Sequence, residues 1–189
     1  MTDRLTRAFA MIDRANAADP NQEGGQPAEL LYGQRMTENQ QRLYPDAGDP
    51  LRIACRGQHI ERWMLARADF PEGRKGYLDW RAEQGRRHAA RVAGIMTDAG
   101  YPPDEIAHAE KMLRKEGIKR DHDVQALEDV AVFTFMQHYM APFAETQSEE
   151  EMDRIVRLTA RKMSAMARAR ALKDFAIPDP LAACFRDGA

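Results

Sequence analysis

Four side chains in this chain could bind a metal or move a proton: His59, His88, Glu128 and Asp129. The two acids run directly into the most apolar stretch of the sequence, Val-Ala-Val-Phe-Thr-Phe-Met at 130–136. An acid buried there needs a partner, because an unpaired charge in an apolar interior is costly or is neutralised. Imidazoles and carboxylates converging from separate helices are how helical folds hold a divalent cation. The expected ligands are His59, His88 and Asp129, with Glu128 orienting one of them from behind, around one cation (Mn, Fe, Zn or Mg). The alternative without metal is a buried His–carboxylate or Arg–carboxylate hydrogen bond. The spacing decides nothing, since HExxH, His-x-His and paired ExxH motifs are all absent. His122-Asp123 falls at a helix start and reads as a cap.

A second set is cationic and aromatic: Arg62-Trp63, then Tyr77, Trp80 and Arg81, then Lys111, Arg114 and Lys115. Guanidinium groups beside large rings, with a lysine at a helix end, suit a phosphate or a nucleotide base. Arg62, Arg81 and Lys115 would clamp the phosphate, Lys115 taking up developing charge. Trp63, Tyr77 and Trp80 would line the ligand, together with Gln125 on the face of Asp129. Core packing of both tryptophans, and a lysine that only answers the helix dipole, account for the same residues without a ligand. Walker and Rossmann glycine patterns are absent. The bases Arg154, Arg157, Arg161, Lys162, Arg168, Arg170 and Lys173 spread around one helix and read as a solvated face rather than a nucleic-acid patch. Cys55 has His59 one turn away but no third orienting group.

The elements that would position these residues are all helical. Apolar spacing predicts helices from Thr2 to about Ala17 and from Ala28 to about Leu43, with a turn-rich loop at 19–27. Asp49-Pro50 opens a third helix to about Ala66, which puts Cys55, His59 and Trp63 on one face. A long fourth runs from Lys75 to about Ala99, closed by Gly100 and carrying Tyr77, Arg81, Gln84 and His88 on one stripe. A fifth starts at Pro102-Pro103-Asp104 and ends at Gly117. Asp121 or Asp123 caps the sixth, Val124 to about Tyr139, stopped by Pro142. Ser148 and Glu151 form a capping box for a seventh that reaches about Lys173. A short helical turn follows Pro178. No stretch alternates with a period of two, so the fold class is all-α, an irregular bundle of about seven helices. The polar pocket is expected between the third, fourth and sixth.

Length and composition bound the class. The chain has 189 residues, 43% hydrophobic and 31% charged, with net charge −2. That fits one globular domain over 1–189, its tail 174–189 peripheral, with no field favouring nucleic acid. Two distant cysteines, Cys55 and Cys184, argue against a disulfide framework and suit a reducing, cytoplasmic setting. Apolar runs are too short to span a membrane.

Five ordered blocks, ELLYGQRM (29–36), QHIERW (58–63), GYLDWR (76–81), RKEGIKRD (114–121) and QALEDVAVFTF (125–135), closely resemble the family called domain of unknown function 4202. The resemblance covers about Thr2 to Met166 and implies a stand-alone α-helical protein, with no catalytic residues to carry over. A more distant similarity is to HD-type metal-dependent phosphohydrolases. In it His59 stands for the first histidine and Asp129 for the last aspartate, while His88 is followed by Ala89 rather than by aspartate. That similarity implies a variant metal-dependent phosphohydrolase acting on a nucleotide or other phosphoester. The alternative is a non-catalytic ligand-binding or interaction domain held by an internal salt-bridge network.

Overall fold

The computed structural model describes residues 3–187. Those residues form ten α-helices, two short 3-10 turns and one two-stranded hairpin, so the all-α expectation stands. They divide into two compact units, Met1–Glu116 and Gly117–Ala189.

The first unit begins with α1, Asp3–Asn16, whose Leu5, Ala8 and Ile12 are buried at helical spacing. The predicted first residue of this helix, Thr2, lies outside the described residues. The predicted loop at 19–27 contains a hairpin, Gln22–Glu23 against Gln26–Pro27. It leads into α2, Ala28–Leu43, with the limits the sequence predicts. Helix α3, Asp49–Arg56, has proline in its first turn. Helix α4, Gly73–Asp98, is followed by Gly100 at φ +85°, as a C-terminal glycine should be. Helix α5 is Pro103–Leu113. Ile12, Met36, Ile53, Ile95, Met96 and Met112 are buried in this unit.

The third helix departs from its expected length. It stops at Gly57 rather than Ala66, and the chain passes through a turn into a 3-10 segment, Arg62–Met64. His59 therefore sits in a turn, not on a helical face with Cys55 and Trp63. Two close contacts force the stop. A Cβ on Gly57 would lie 2.6 Å from Cγ2 of Val92, so the end of α3 presses directly on α4. Arg56 is tied by Nε and Nη2 to both carboxylate oxygens of Asp13, each at 2.7 Å, which fixes the same end against α1. Glu61 then adopts φ +53°, left-handed for a residue with a side chain, and its N–H donates to Oδ1 of Asn16 at 2.9 Å.

The second unit starts with α6, His122–His138, capped by Asp121, whose Oδ1 accepts from the N–H groups of Asp123 and Val124. The apolar run 130–136 is helical, as expected. Helix α6 ends within a residue of the expected Tyr139, and Pro142 follows it. The proline sits within a one-turn helix, α7, Met140–Ala144, at a position where no intrahelical N–H is required. Ser148 caps α8, Glu149–Lys162, through the N–H of Glu151.

The predicted long seventh helix is two helices, because α9 restarts at Ala165 and runs to Asp174. Side chains take over the backbone groups at the break. Gln125 donates to the Lys162 carbonyl at 2.8 Å, and Asp129 accepts the Ser164 N–H at 2.8 Å. Lys119 and Arg168 both donate to the Met163 carbonyl, and Ser164 caps the new helix. The last helix, α10, Asp179–Asp187, buries Ala182, Cys184 and Phe185. Arg157 reaches Sγ of Cys184 at 3.1 Å, and Arg168 donates to the Phe185 carbonyl. Among the described residues, no helix is long and apolar enough to cross a membrane.

Candidate functional site

The polar centre of the first unit is built on His59. Its ring lies flat on Tyr32 of α2, centroids 3.9 Å apart and planes within 9°. Its Nδ1 lies 3.3 Å from Oε2 of Glu29, one turn earlier on the same helix. Oε1 of that carboxyl lies 4.0 Å from Nε of Arg62. From α4 comes His88, its ring centroid 6.1 Å from that of His59.

The charges that act on His59 are positive. Burial holds its pKa well below the usual imidazole range, and Arg62, Lys115 and Arg81 add to that effect. His88, only 4% exposed, is pushed down to about 2, first by burial, then by His59 and Arg62, against a hydrogen bond to the backbone of Gln58. Both rings are thus neutral. Nε2 of His88 is buried without a hydrogen-bond partner among the described residues, which leaves Nδ1 to bond Gln58. Burial acts on Glu29 in the opposite sense. It raises the carboxyl to about 7, with Asp19 and Glu23 adding to the shift and Arg62 opposing it. At neutral pH, Glu29 therefore stands near the midpoint between acid and carboxylate, beside an imidazole held neutral.

Each of these groups is set in place from elsewhere in the unit. Asn16, 2% exposed, donates to the Glu29 carbonyl at 3.2 Å and accepts from the Glu61 N–H, joining the first turn of α2 to the turn that carries His59. Asp19 accepts the Glu29 N–H at 3.0 Å and so caps α2, where Pro27 offers no side chain for the task. Gln84 donates to the carbonyls of Arg62 and Leu65, and Trp80 Nε1 also donates to Leu65. The Arg62 guanidinium stacks on the Trp80 ring at 4.6 Å. Arg81 lies over Tyr77 at 5.8 Å. Lys115 is left-handed at φ +57°, one of three such residues other than glycine among the described residues, with Glu61 and Lys119. A Cβ on Gly85 would stand 3.2 Å from the Leu113 carbonyl, so α4 and the end of α5 are in close approach just before Lys115.

The structure gathers His59, Arg62, Tyr77, Trp80, Arg81, His88 and Lys115 from the sequence-based set into this unit. Trp63 is half-buried in the same 3-10 segment as Arg62. Gln125, Glu128 and Asp129 belong to the other unit. There Asp129 accepts from Gln125 and from the Ser164 N–H, at the break between α8 and α9. Glu128 is buried on the same helix. Three of the bases of α8 and α9 are answered locally, Arg154 by Glu151, Arg157 by Asp153 and Arg170 by Asp174.

The donors do not fit the expected cation. Among the described residues, no group of three or more His, Cys, Asp or Glu side chains is placed to hold a metal ion. Arg62, Lys115 and Arg81 around His59 would repel one. An anion is favoured by the same charges.

The family model of a domain of unknown function, DUF4202, matches residues 6–184. The chain belongs to the DUF4202 family. No curated protein and no solved structure matches it. The distant likeness to HD-type phosphohydrolases is not shown by these comparisons. The DUF4202 blocks ELLYGQRM and QHIERW contain Glu29, Tyr32, His59 and Arg62, which meet in the fold. Sequence reasoning passed over Glu29 as a site residue. Its one signal was an acid in the first turn of an otherwise apolar helix start, three residues before an aromatic. Asn16 and Asp19 gave no signal, because each bonds backbone groups far away in sequence.

Proposed function

We propose that the Met1–Glu116 unit of this DUF4202 protein binds a small phosphorylated ligand at the cluster formed by Arg62, Arg81 and Lys115. The observation that carries this reading is the positive charge of these three residues on His59, a neutral ring stacked on Tyr32. Arg62 is already oriented by its stack on Trp80 and by the bonds from Gln84 to its backbone, so little ordering remains when an anion arrives. A guanidinium fork suits a phosphate geometrically, and Lys115 adds a point charge beside it.

Turnover of such a ligand is supported by a separate observation, the carboxyl–imidazole pair Glu29–His59 at 3.3 Å. The Glu29 carboxyl group, titrating near pH 7 and held by a neutral imidazole, can take or give a proton at the reacting oxygen of a phosphoester. The reading of His59, His88 and Asp129 as ligands of a divalent cation has no such support from the donor arrangement, and no step is routed through a metal.

Isothermal titration of a panel of nucleoside monophosphates, sugar phosphates and inorganic phosphate tests the binding. Binding by at least one panel member, weakened about tenfold or more in Arg62→Ala and in Lys115→Ala, is the expected result. Absence of binding across the panel, or equal affinity in both variants, would overturn it. Release of inorganic phosphate from a bound member, lost in His59→Gln, would establish turnover.

A further inference from the structure

Among the described residues five large apolar side chains are exposed, and three of them border the cationic cluster: Met64 at 58%, Tyr77 at 43% and Leu78 at 51%. We propose that this surface seats a nucleobase, which lies on Tyr77 while its phosphate meets Arg62 and Arg81. The ligand is then a nucleoside monophosphate rather than a sugar phosphate. This rests on the phosphate reading above and adds the ligand class and the residue that selects it.

The apolar surface and the cations are continuous. The Arg62 guanidinium lies 4.6 Å from the Trp80 ring, Trp80 lies 6.0 Å from Tyr77, and Tyr77 lies 5.8 Å from the Arg81 guanidinium. Two guanidinium groups thus bracket two rings. Tyr77 and Leu78 precede Arg81 by four and three positions on α4, so both flank it on the helix surface. Met64 is brought to the same helix by its neighbour Leu65, whose carbonyl accepts from Trp80 Nε1 and from Gln84. The platform is also set before any ligand arrives. A Cβ on Gly76 would run into the Pro71 carbonyl, so the turn of α4 that carries Tyr77 presses on the preceding loop. Arg67 holds that loop by donating to the Phe70 and Pro71 carbonyls at 3.0 Å each.

A flat base suits this surface better than a protein partner does. Three half-exposed side chains offer at most about 300 Å² of apolar area, whereas a stable protein interface takes about 800 Å² from each side. Exposed ion pairs, Lys75–Asp79 and Glu83–Arg86, occupy the same helix and limit the patch. A base gains from a tyrosine face and from a guanidinium plane, and a methionine side chain adapts to its edge. Base and phosphate stand one sugar apart in a nucleoside monophosphate, and here the ring stands one helical turn from Arg81. A sugar phosphate would leave the three apolar side chains in water.

The test is isothermal titration of the full chain with adenosine monophosphate and with the matching ribose phosphate, which share sugar and phosphate and differ in the base. Adenosine monophosphate should bind at least about tenfold more tightly. Its base protons should show nuclear Overhauser contacts to the Tyr77 ring. These readouts need no variant. In Tyr77→Leu the ratio of the two affinities should fall to about one, whatever loss the two ligands share, and Tyr77→Trp should keep it. Equal affinity in the native chain would overturn the base platform and leave phosphate binding standing. Adenosine bound as tightly as its monophosphate would overturn the phosphate reading instead. A native dimer dispersed by Leu78→Glu would put a second copy on the patch and overturn the proposal. Binding of none among adenosine monophosphate, ribose phosphate and inorganic phosphate would overturn both readings.

Discussion

Tyr32 and His59 lie face to face, 3.9 Å between ring centroids and nearly parallel, so the imidazole turns only if the phenol turns with it. The stack holds Nδ1 of His59 toward Glu29 from a turn that has no helical hydrogen bonds to orient it. Such a pair contributes about 0.5–1.5 kcal/mol beyond its buried area. Tyr32→Leu should keep the fold and lower stability by about that amount. It should weaken phosphate binding more than Tyr77→Leu, which loosens Arg81 and one edge of the Trp80 ring but leaves His59 in place. Titrating both variants with inorganic phosphate checks the order, and equal losses would mean that the stack does not orient the site.

Asn16 should prove essential to the first unit although it touches no ligand. Its amide serves both the Glu29 carbonyl and the Glu61 N–H, and Asn16→Ala takes the side-chain donor from the first and the acceptor from the second. A backbone N–H left without its acceptor in such a place costs about 1–3 kcal/mol. The turn at Glu61 is already left-handed and lacks a second anchor of this kind on its N–H, so the loss should appear in urea denaturation as a lowered midpoint. Asn16→Asp keeps the acceptor for Glu61 and loses the donor, and should recover part of the stability.

Two glycines of the first unit predict opposite signs. A Cβ on Gly57 would meet Val92 Cγ2 at 2.6 Å and the Ile53 carbonyl at 3.3 Å, whereas a Cβ on Gly94 in α4 meets nothing within 4 Å. Gly57→Ala should destabilise by about 1–3 kcal/mol through overpacking. Gly94→Ala sits at an exposed helix interior position and should stabilise by about 0.5–1 kcal/mol. Thermal unfolding of the two variants side by side separates these outcomes.

The helices were legible wherever a local signal ended them. The limits of α2, the glycine after α4 and the serine cap of α8 depend on residues within one turn of the boundary. The ends of α3 and α8 depend on side chains far away. Asn16 bonds Glu61 across 45 positions, and Gln125 and Asp129 reach Lys162 and Ser164 across 37 and 35. Gly57 and Ser164 stand at the two breaks, but a lone glycine or serine inside an apolar period is a weak signal, so periodicity runs straight through both. The same limit applies to the site. Arg62, Arg81 and Lys115 could be picked by type, but Glu29 became part of it only because α2 lies beside the turn that carries His59.

Buried neutral histidines and a raised carboxyl group give the stability a pH dependence of readable sign. Below pH 6.5 the unfolded chain protonates His59 and His88 while the folded chain does not, so stability falls as pH falls. Glu29 acts the other way. Its folded pKa is raised from 4.5 to about 7, so the folded chain holds a proton that the unfolded chain lacks in that window. Between about pH 4.5 and 6.5 the two histidines together give a slope of up to about 2.7 kcal/mol per pH unit, and Glu29 offsets about 1.4 of it. Glu29→Gln should therefore lose stability faster than the native chain as pH falls through this window, and His88→Gln more slowly. Urea denaturation at half-unit pH steps reads both slopes, and an unchanged slope in Glu29→Gln would mean that the carboxyl group is not raised.

Asp129 separates the structural account from the metal account most directly. It is fully buried, and its Oδ1 accepts from Gln125 at 2.9 Å and from the Ser164 N–H at 2.8 Å. Asp129→Asn keeps one carbonyl oxygen for these donors but removes the charge that strengthens both bonds. Asp129→Ala leaves the Ser164 N–H without its acceptor where α8 ends and α9 begins, at about 1–3 kcal/mol. The bonds that hold Asp129 belong to the Gly117–Ala189 unit and the cluster around His59 to the other, so phosphate affinity measured below the melting temperature should be unaltered in Asp129→Asn. Were Asp129 instead a ligand of a cation shared with His59 and His88, the same substitution would remove bound manganese, iron or zinc from the native chain and lower any phosphoester turnover with it. Elemental analysis of the native and Asp129→Asn proteins, paired with the phosphate titration, gives one answer or the other. Metal absent from both with affinity unchanged is the expected outcome.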